Sequence, residues 1–550
     1  MSFAGGIPEQ PVDSFRETDR IASERPFAES KDANNQRSAD SASKDSKGVS
    51  PGRMILQSAL EGRVADRSKN EATVLQQFLC EKSWAKKLAT WLGTGELQKW
   101  SASNASIKQQ LERDIAKIDG MVSKQLNDIM HHESFKRLEA SWRGLEYLVA
   151  CKDEVAQAPI QIKVWNVTWA ELKKDQEGAM EFDQSMFFKK IYEEALGTPG
   201  VPPFSVILTD FDIHPRPSRE HPFDDIAILQ RLSETAAAAF APLLINASPS
   251  MFGVDHFHEL RQSFDLEKLH ARPDFLRWQQ FRTTEESRFV SVLLPRMLLR
   301  KPYRPERNHH FGFPFEELPK TAEDHIWGGA IFGMGEVLIR AFAESRWFAN
   351  IRGVQRGVQS GGLVVGPTMD AFETEPDGLA PKAITETMIS DAFERQLAKL
   401  GFISLCACPN TPFGAFYSCP SVQKPGRYTT PEANANAELS ALTNYMLCAS
   451  RFGHYVKVMA RDKIGAMIDA NELQDFLSQW LINYVNRDPD ANPRIRAEKP
   501  LLDGAVQVRS KPGRPGEYDC IIQLEPYHSF DDIRASLKLD TKLVNRNQNS

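Results

Sequence analysis

Between Leu111 and Val149 the apolar residues recur every three or four positions, and from Pro159 the pattern changes. That change of rhythm constrains the fold more than any other feature. Leu111, Ile115, Ile118, Val122, Leu126 and Ile129 share one helical face, and Phe135, Leu138, Trp142, Leu145 and Val149 share another. The two runs predict amphipathic packing helices interrupted near His131-His132-Glu133. Next, Ile160, Ile162 and Val164 alternate with polar residues and predict a half-exposed strand, while the runs at 204–208 and 289–294 are compact enough for buried strands. Helical stretches near 182–196, 224–240 and 322–347 lie between the strand candidates. The expected class is mixed α/β (α+β): a two-part globular body of amphipathic helices and mixed sheets.

Both ends differ from this middle. Residues 1–70 are rich in Ser, Asp, Lys, Glu, Gly and Pro, and too poor in periodic apolar residues to offset their ordering entropy, so a flexible N-terminal arm is expected there. Short apolar islands such as Met54, Ile55 and Leu56 remain available to a partner. Toward the C-terminus, Leu439, Leu442, Met446, Ala449, Phe452, Val456 and Met459 predict one long helical face. Leu473, Phe476, Leu477, Trp480, Leu481, Tyr484 and Val485 predict a second, stopped before Pro489. The runs 505–509 and 518–524, joined by Lys511-Pro-Gly-Arg-Pro-Gly, read as a β-hairpin, and 536–540 supplies one more strand. The domain expectation is an arm over 1–70, an α/β domain over 71–415, and a helical domain with the hairpin over 416–550.

Charge and motif narrow the function. A net charge of -6 gives no general attraction to nucleic acid phosphates or anionic lipid, so neither nucleic acid binding nor membrane insertion is expected. The longest apolar stretch, 236–245, is far short of the roughly 20 residues that span a bilayer, and the first residues lack a secretory pattern. Seven cysteines spread along a long chain fit reduced thiols and a cytoplasmic address. P-loop, nucleophile-elbow, HExxH and EF-hand patterns are absent. Gly361-Gly362 and the following residues lack the lysine of a phosphate cradle, and the glycines from Gly328 to Gly335 predict close helix packing. Cys406, Cys408 and Cys419 lack zinc spacing and a fourth ligand; His131-His132 and His309-His310 are neighbours whose side chains diverge. Glu285-Glu286, beside Arg282 and Arg288, and Glu316-Glu317, in a Pro- and Phe-rich loop, read as ion-pairing carboxylates. The expectation is therefore no catalytic residue, no metal and no cofactor.

Several collinear stretches carry a resemblance: LEASWRGLEYLV (138–149), FDQSMFFKKIYEE (182–194), ASPSMFG (247–253), ESRFVSVLLPRMLLRKPY (286–303), FANIRGV (348–354), PSVQKPGRY (420–428) and, strongest, SRFGHYVKVMARDKIG (450–465). Over about 105–540 the chain resembles the large subunit family (TssC/VipB) of the type VI secretion contractile sheath. The N-terminal arm is longer than usual for that family, and 357–368 departs from the polar loop expected there. The resemblance implies a cytoplasmic structural protein, not an enzyme. Its implied partners are a small sheath subunit, neighbouring copies of itself, a hexameric inner-tube protein, baseplate components, and a recycling unfoldase ATPase that engages mainly the small subunit. The alternatives are a phage-like contractile tail sheath, or a metal-dependent cytoplasmic enzyme using the Cys406, Cys408 and Cys419 region.

A free arm and a terminal hairpin are complementary halves of strand addition, in which main-chain hydrogen bonds give affinity and alternating side chains set register. Val506, Val508, Ile521 and Leu524 are the expected apolar face supporting that sheet, with Leu537 and Leu539 extending the candidate interface. On this reading Val508→Pro removes a ladder donor and blocks polymerisation while sparing the soluble fold. Contraction then requires two packings of similar free energy, with the bodies sliding while the linked strands stay paired.

Overall fold

The computed structural model describes residues 76, 78–94, 104–198, 200–261, 265–304, 313–354, 358–370, 382–409, 411–464, 469–488, 491–511, 518–526 and 537–543. The arm over 1–70, the His309-His310 pair and the hairpin turn at 512–517 lie outside the described residues. The chain divides into two compact units, Met1–Ile118 and Asp119–Ser550. In the first, helix α1 (Trp84–Leu92) begins after Ser83 and ends at Gly93, whose φ of 85° suits a residue without Cβ. Trp91 Nε1 donates to Asp114 Oδ2 at 3.2 Å within the same unit.

Two long helices, α2 (Asn104–Met130) and α3 (Glu133–Glu154), follow the predicted periodicity and break at the predicted place. The side of α3 that packs is not the predicted one. Ala140, Gly144 and Leu148 are buried, whereas Leu138, Trp142 and Val149 are exposed. Small residues decide this, because they let α7 (Ala330–Ser345) approach closely. A Cβ on Gly144 would run into the Phe332 ring, and one on Gly335 would run into Leu148. The glycine-rich run thus packs helices as expected, though Gly328 and Gly329 precede α7. Gly144→Leu is expected to lower stability by about 1–3 kcal/mol, measured as a denaturant midpoint shift, with Trp142→Ala on the exposed stripe staying within about 0.5 kcal/mol.

Helix α4 (Trp169–Gly178) opens with a capping box, Thr168 and Glu171 satisfying each other's backbone N–H groups. A short helical run ends in a π-helical turn, Lys189–Leu196. Then a doubly covered sheet is laid down: β1 (Ile207–Ile213), α5 (Asp225–Ala239), β2 (Leu243–Ala247), α6 (Leu276–Phe281) and β3 (Val290–Leu294). A separate antiparallel pair, β4 (Met297–Arg300) and β5 (Ile326–Gly328), leads into α7. After it come β6 (Leu363–Val364), α8 (Asp391–Lys399), β7 (Phe402–Ala407) and β8 (Gly414–Phe416). The strand order is β1-β2-β3-β7-β8-β6, parallel through β7 and antiparallel beyond it.

Burial on both faces explains why β2, β3 and β7 read as continuous apolar runs. Leu243, Ile245, Val290, Val292 and Phe402 join one core with α5 and α6; Leu244, Leu293, Ile403 and Leu405 join a second beneath α7. Gly361 and Gly362 lie where β6 meets β8, and a Cβ on Gly362 would strike the Phe416 carbonyl oxygen, so these glycines serve strand approach. The predicted strand at 160–164 does not form. Ile160 and Ile162 pack on the second core, yet the segment pairs with no described strand and Val164 is exposed.

The predicted long C-terminal helix is two: α9 (Pro431–Ser440) and α10 (Thr443–Ile464). The 419–421 segment pins the break, with Ser421 N–H donating to Ala441 O at 2.7 Å and Thr443 N–H donating to Cys419 O at 2.9 Å. Helix α11 (Ala470–Ile482) stops ahead of Tyr484 and Val485. Strands β9 (Leu501–Ser510), β10 (Tyr518–Pro526) and β11 (Leu537–Leu543) form an antiparallel sheet in the order β11-β10-β9, so both the hairpin and the extra strand are present.

Candidate assembly surface

Register fixes which side chains of the terminal sheet point inward. Cys520 faces Val508, Ile522 faces Val506 and Leu524 faces Gly504 across β9 and β10. Val506, Val508, Cys520, Ile522 and Leu524 are buried, and they join the first core together with Leu477 and Leu481 of α11. Three of the four expected supporting residues therefore do lie on one apolar face. Ile521 does not. It pairs with Gln507, one step out of phase, and shares the opposite face; the residues that complete the inner face are Cys520 and Ile522. An alternation counted from the wrong member of Cys-Ile-Ile produces this error. Leu537 pairs with Leu524 and Leu539 with Ile522, which places both on β11 opposite inward-facing residues.

The two sheet edges are unequal. On β9, the Val508 N–H donates to Gln474 Oε1 at 3.0 Å, and Asn486 N–H donates to Leu501 O at 2.8 Å. That edge is guarded by α11 and the segment after it. This corrects the expected effect of Val508→Pro: the lost donor serves Gln474, not the strand ladder, and the residue is buried, so the substitution damages the body itself. In an antiparallel ladder the backbone groups of successive residues point alternately to the two sides. With Val508 pointing away from β10, Cys520, Ile522 and Leu524 point toward β11, and their partners Thr541, Leu539 and Leu537 point back. The backbone groups of Lys538, Asp540 and Lys542 are left facing outward, where no described strand pairs with them.

The stretch 450–465 explains itself once α10 is in place. His454, Lys457 and Arg461 are spaced along one side of the helix and reach backbone carbonyls at the ends of two others. His454 Nε2 is 2.8 Å from Ala239 O, and Lys457 Nζ donates to Ala238 O at 3.3 Å, both at the C-terminus of α5. Arg461 Nη1 donates to Leu196 O at 3.1 Å, at the end of the π-helical turn. These carbonyls lack intrahelical partners, and cationic donors suit a helix C-terminus. Lys457 Nζ also lies 4.5 Å from the Phe240 ring centroid, and Trp347 stacks on Phe452 at 4.2 Å. Burial pushes His454 down to about 4 and Lys457 down to about 8. Between pH 8 and the ordinary lysine value of 10.5, the unfolded chain holds a proton that the folded chain has shed. Raising pH through that window therefore favours folding at this site. The gain is expected to be on the order of 1–3 kcal/mol relative to Lys457→Met, read as the difference between the two proteins' unfolding curves at pH 8 and pH 10.

Other polar groups are spent internally. Glu317 pairs with buried Arg300 at 2.6 Å, and Glu285 pairs with Arg288 at 3.6 Å, as expected of carboxylates beside arginines. Arg282 departs from that expectation, donating instead to Val422 O at 2.9 Å and Lys399 O at 3.2 Å. His132 sits at the N-cap position of α3 without capping it, and His131 Nε2 lies 3.3 Å from Glu317 Oε1. Cys406, Cys419, Cys448 and Cys520 are buried free thiols, each pushed up to about 12 by desolvation. The one group of three potential metal donors among the described residues is His214, His221 and Asp225, which the sequence reading did not single out. Its only local signal was the four-residue spacing of His221 and Asp225, at the start of α5.

A doubly covered α/β body carrying a small terminal sheet, whose edge strand β11 pairs with no further described strand, fits the class of structural assembly subunits. The sequence comparisons agree with that class. Residues 112–423 match the EvpB/VC_A0108 tail sheath N-terminal domain, and 432–543 match the EvpB/VC_A0108 tail sheath gpW/gp25-like domain. The chain belongs to the EvpB/VC_A0108 tail sheath family. It is 36% identical over 446 residues to the type VI secretion system sheath protein TssC1 of Pseudomonas aeruginosa, covering 80% of this chain and 87% of that protein. A chain of the anti-feeding prophage baseplate, solved by cryo-EM with six-fold symmetry, aligns over 68% of this chain and 81% of its own length. With 9% identity and a TM-score of 0.30, that likeness carries no argument. No described helix is long and apolar enough to cross a membrane.

Proposed function

We propose that this chain is the large structural subunit of a type VI secretion contractile sheath, and that it works by polymer geometry without bond chemistry of its own. Family membership carries the reading, and the outward backbone groups of β11, which pair with no described strand although α9 and α10 approach that strand, support it physically. Strand addition there lets a small sheath subunit or a neighbouring copy join the terminal sheet, while the buried face on α11 holds that sheet to the body. Each added main-chain hydrogen bond contributes about 1 kcal/mol net, so several must form together. The exposed apolar stripe of α3 (Leu138, Trp142 and Val149) is a second surface that a lattice of subunits can cover. The domain division follows as a proposal: an arm over 1–70, a body domain over 71–415 and a sheet-bearing domain over 416–550. The inner-tube protein, baseplate components and a recycling ATPase complete the proposed set of partners, with the cytoplasm as the compartment.

Co-expression with the cognate small subunit, followed by negative-stain microscopy, tests the proposal. Long tubes of regular diameter are expected from the pair and not from either chain alone. A chain that stays monomeric beside that partner refutes it. Tubes formed without the small subunit would favour the phage-like sheath reading.

A further inference from the structure

Away from the terminal sheet, a proline-rich loop folds His214 and His221 against Asp225 in the first turn of α5. The two imidazole rings stack with centroids 4.1 Å apart, and each turns a nitrogen to the same carboxylate. His214 Nδ1 is 3.1 Å from Asp225 Oδ2, and His221 Nε2 is 2.7 Å from Oδ1. All three candidate donor atoms lie within 4.8 Å of one another. Asp225 is buried and cannot rotate freely, because Trp169 Nε1 donates to Oδ1 at 2.7 Å and the His214 N–H donates to Oδ2 at 2.9 Å. The imidazoles are partly open to solvent, which leaves an entry path and room to shift.

We propose that His214, His221 and Asp225 form a binding site for one divalent transition-metal ion of the zinc class. Two imidazoles and one carboxylate match the donor preference of such ions, and three protein ligands leave a fourth position for water. Bonds of about 2.0–2.1 Å in tetrahedral geometry separate ligand atoms by about 3.3 Å, and the three donor atoms already lie within 4.8 Å of one another, so the partly open imidazoles must give up their hydrogen bonds to Asp225 and close around the ion. The Trp169 and His214 N–H groups are the outer partners that hold a ligating carboxylate in place. Pro215, Pro217 and Pro222 restrict the loop between the ligands, reducing the entropy lost on closure. An ion here clamps the 214–221 loop to α5 and α4. The role is structural and independent of the sheath assignment.

The test uses the full-length chain, stripped with a chelator and then dialysed against zinc. The wild type is expected to retain one equivalent more than the His214→Ala/His221→Ala variant. Zinc should also raise the wild-type thermal midpoint and leave that of the variant unmoved. Single His221→Gln removes one ligand with less disturbance of the loop, and should weaken binding by more than about 100-fold. Circular dichroism of the metal-free proteins checks that the variants fold; were the double variant to fail, the His221→Gln comparison decides alone. Equal zinc in wild type and variants, an adventitious ion only, overturns the site. So does a wild-type thermal midpoint that zinc leaves unchanged.

Discussion

Arg300→Met is expected to destabilise the body by about 3–5 kcal/mol, because it leaves a buried carboxylate without its counter-charge. The guanidinium bridges two glutamates from different parts of the chain. Nη1 is 2.6 Å from Glu317 Oε2 and Nη2 is 3.1 Å from Oε1, while Nε is 2.6 Å from Glu139 Oε1 on α3. Nη1 also donates to Lys301 O at 2.8 Å, and the planar group lies 4.3 Å from the Tyr303 ring centroid. Methionine keeps the stem volume and loses every one of these bonds. Denaturant unfolding is the measurement, and Arg300→Met/Glu317→Gln should recover part of the loss because the stranded charge goes with its partner. A single-variant loss below about 1 kcal/mol would mean that the network behaves like an exposed ion pair. Acid supplies a second readout. Desolvation alone would raise Glu317, yet the Arg300 hydrogen bond, the Tyr303 N–H, the Arg300 charge and His131 outweigh it and hold the carboxyl below its ordinary 4.5. A depressed carboxylate contributes stability that is fully present above the unfolded value and lost as pH falls through the folded one. The gap between wild type and Arg300→Met should therefore be constant near neutrality and narrow below pH 4.5.

How much of this was legible in the sequence depends on whether the signal was local. Val290–Leu294 is buried on both faces and announces itself as the compact run at 289–294, whereas Leu243–Ala247 and Phe402–Ala407, buried in the same way, carry no strand expectation of their own. The 160–164 alternation also reads as a strand, a half-exposed one, but a strand needs a neighbour, and whether one arrives is a tertiary fact. The apolar stripe of α3 was read correctly as a period and wrongly as the packing face, since the close approach of Phe332 to Gly144 is invisible without α7. The division between α9 and α10 follows from a bond donated by Ser421, which no helical period could announce. The motif at 450–465 was conspicuous in sequence, and its chemistry was not: His454, Lys457 and Arg461 cap helices that end more than two hundred residues earlier. His214 and Asp225 meet only because a loop turns back, which explains why pairs adjacent in sequence drew attention and this cluster did not.

Asp540→Pro is expected to abolish tube formation while leaving the folded subunit intact. Backbone direction decides the outcome. Thr541 pairs with Cys520 and Leu539 with Ile522, whose groups point toward β11 once Val508 has turned its own N–H to Gln474. Asp540, between them, directs its N–H away from β10, so removing that donor costs the internal ladder nothing. An incoming strand, by contrast, loses one hydrogen bond and meets a ring where it must lie flat. At about 1 kcal/mol for the bond, plus the steric misfit, each subunit contact should weaken by roughly tenfold or more. A lattice repeats that loss at every contact, so a modest pairwise change becomes the absence of long tubes. Thr541→Pro is the matched control: its N–H serves β10, and its thermal midpoint should fall where that of Asp540→Pro does not. Asp540→Ala keeps the N–H and should still give tubes, which separates the backbone from the side-chain charge. Tubes of ordinary length from Asp540→Pro would place the joining strand elsewhere, and the guarded edge of β9 would then have to open by releasing Gln474.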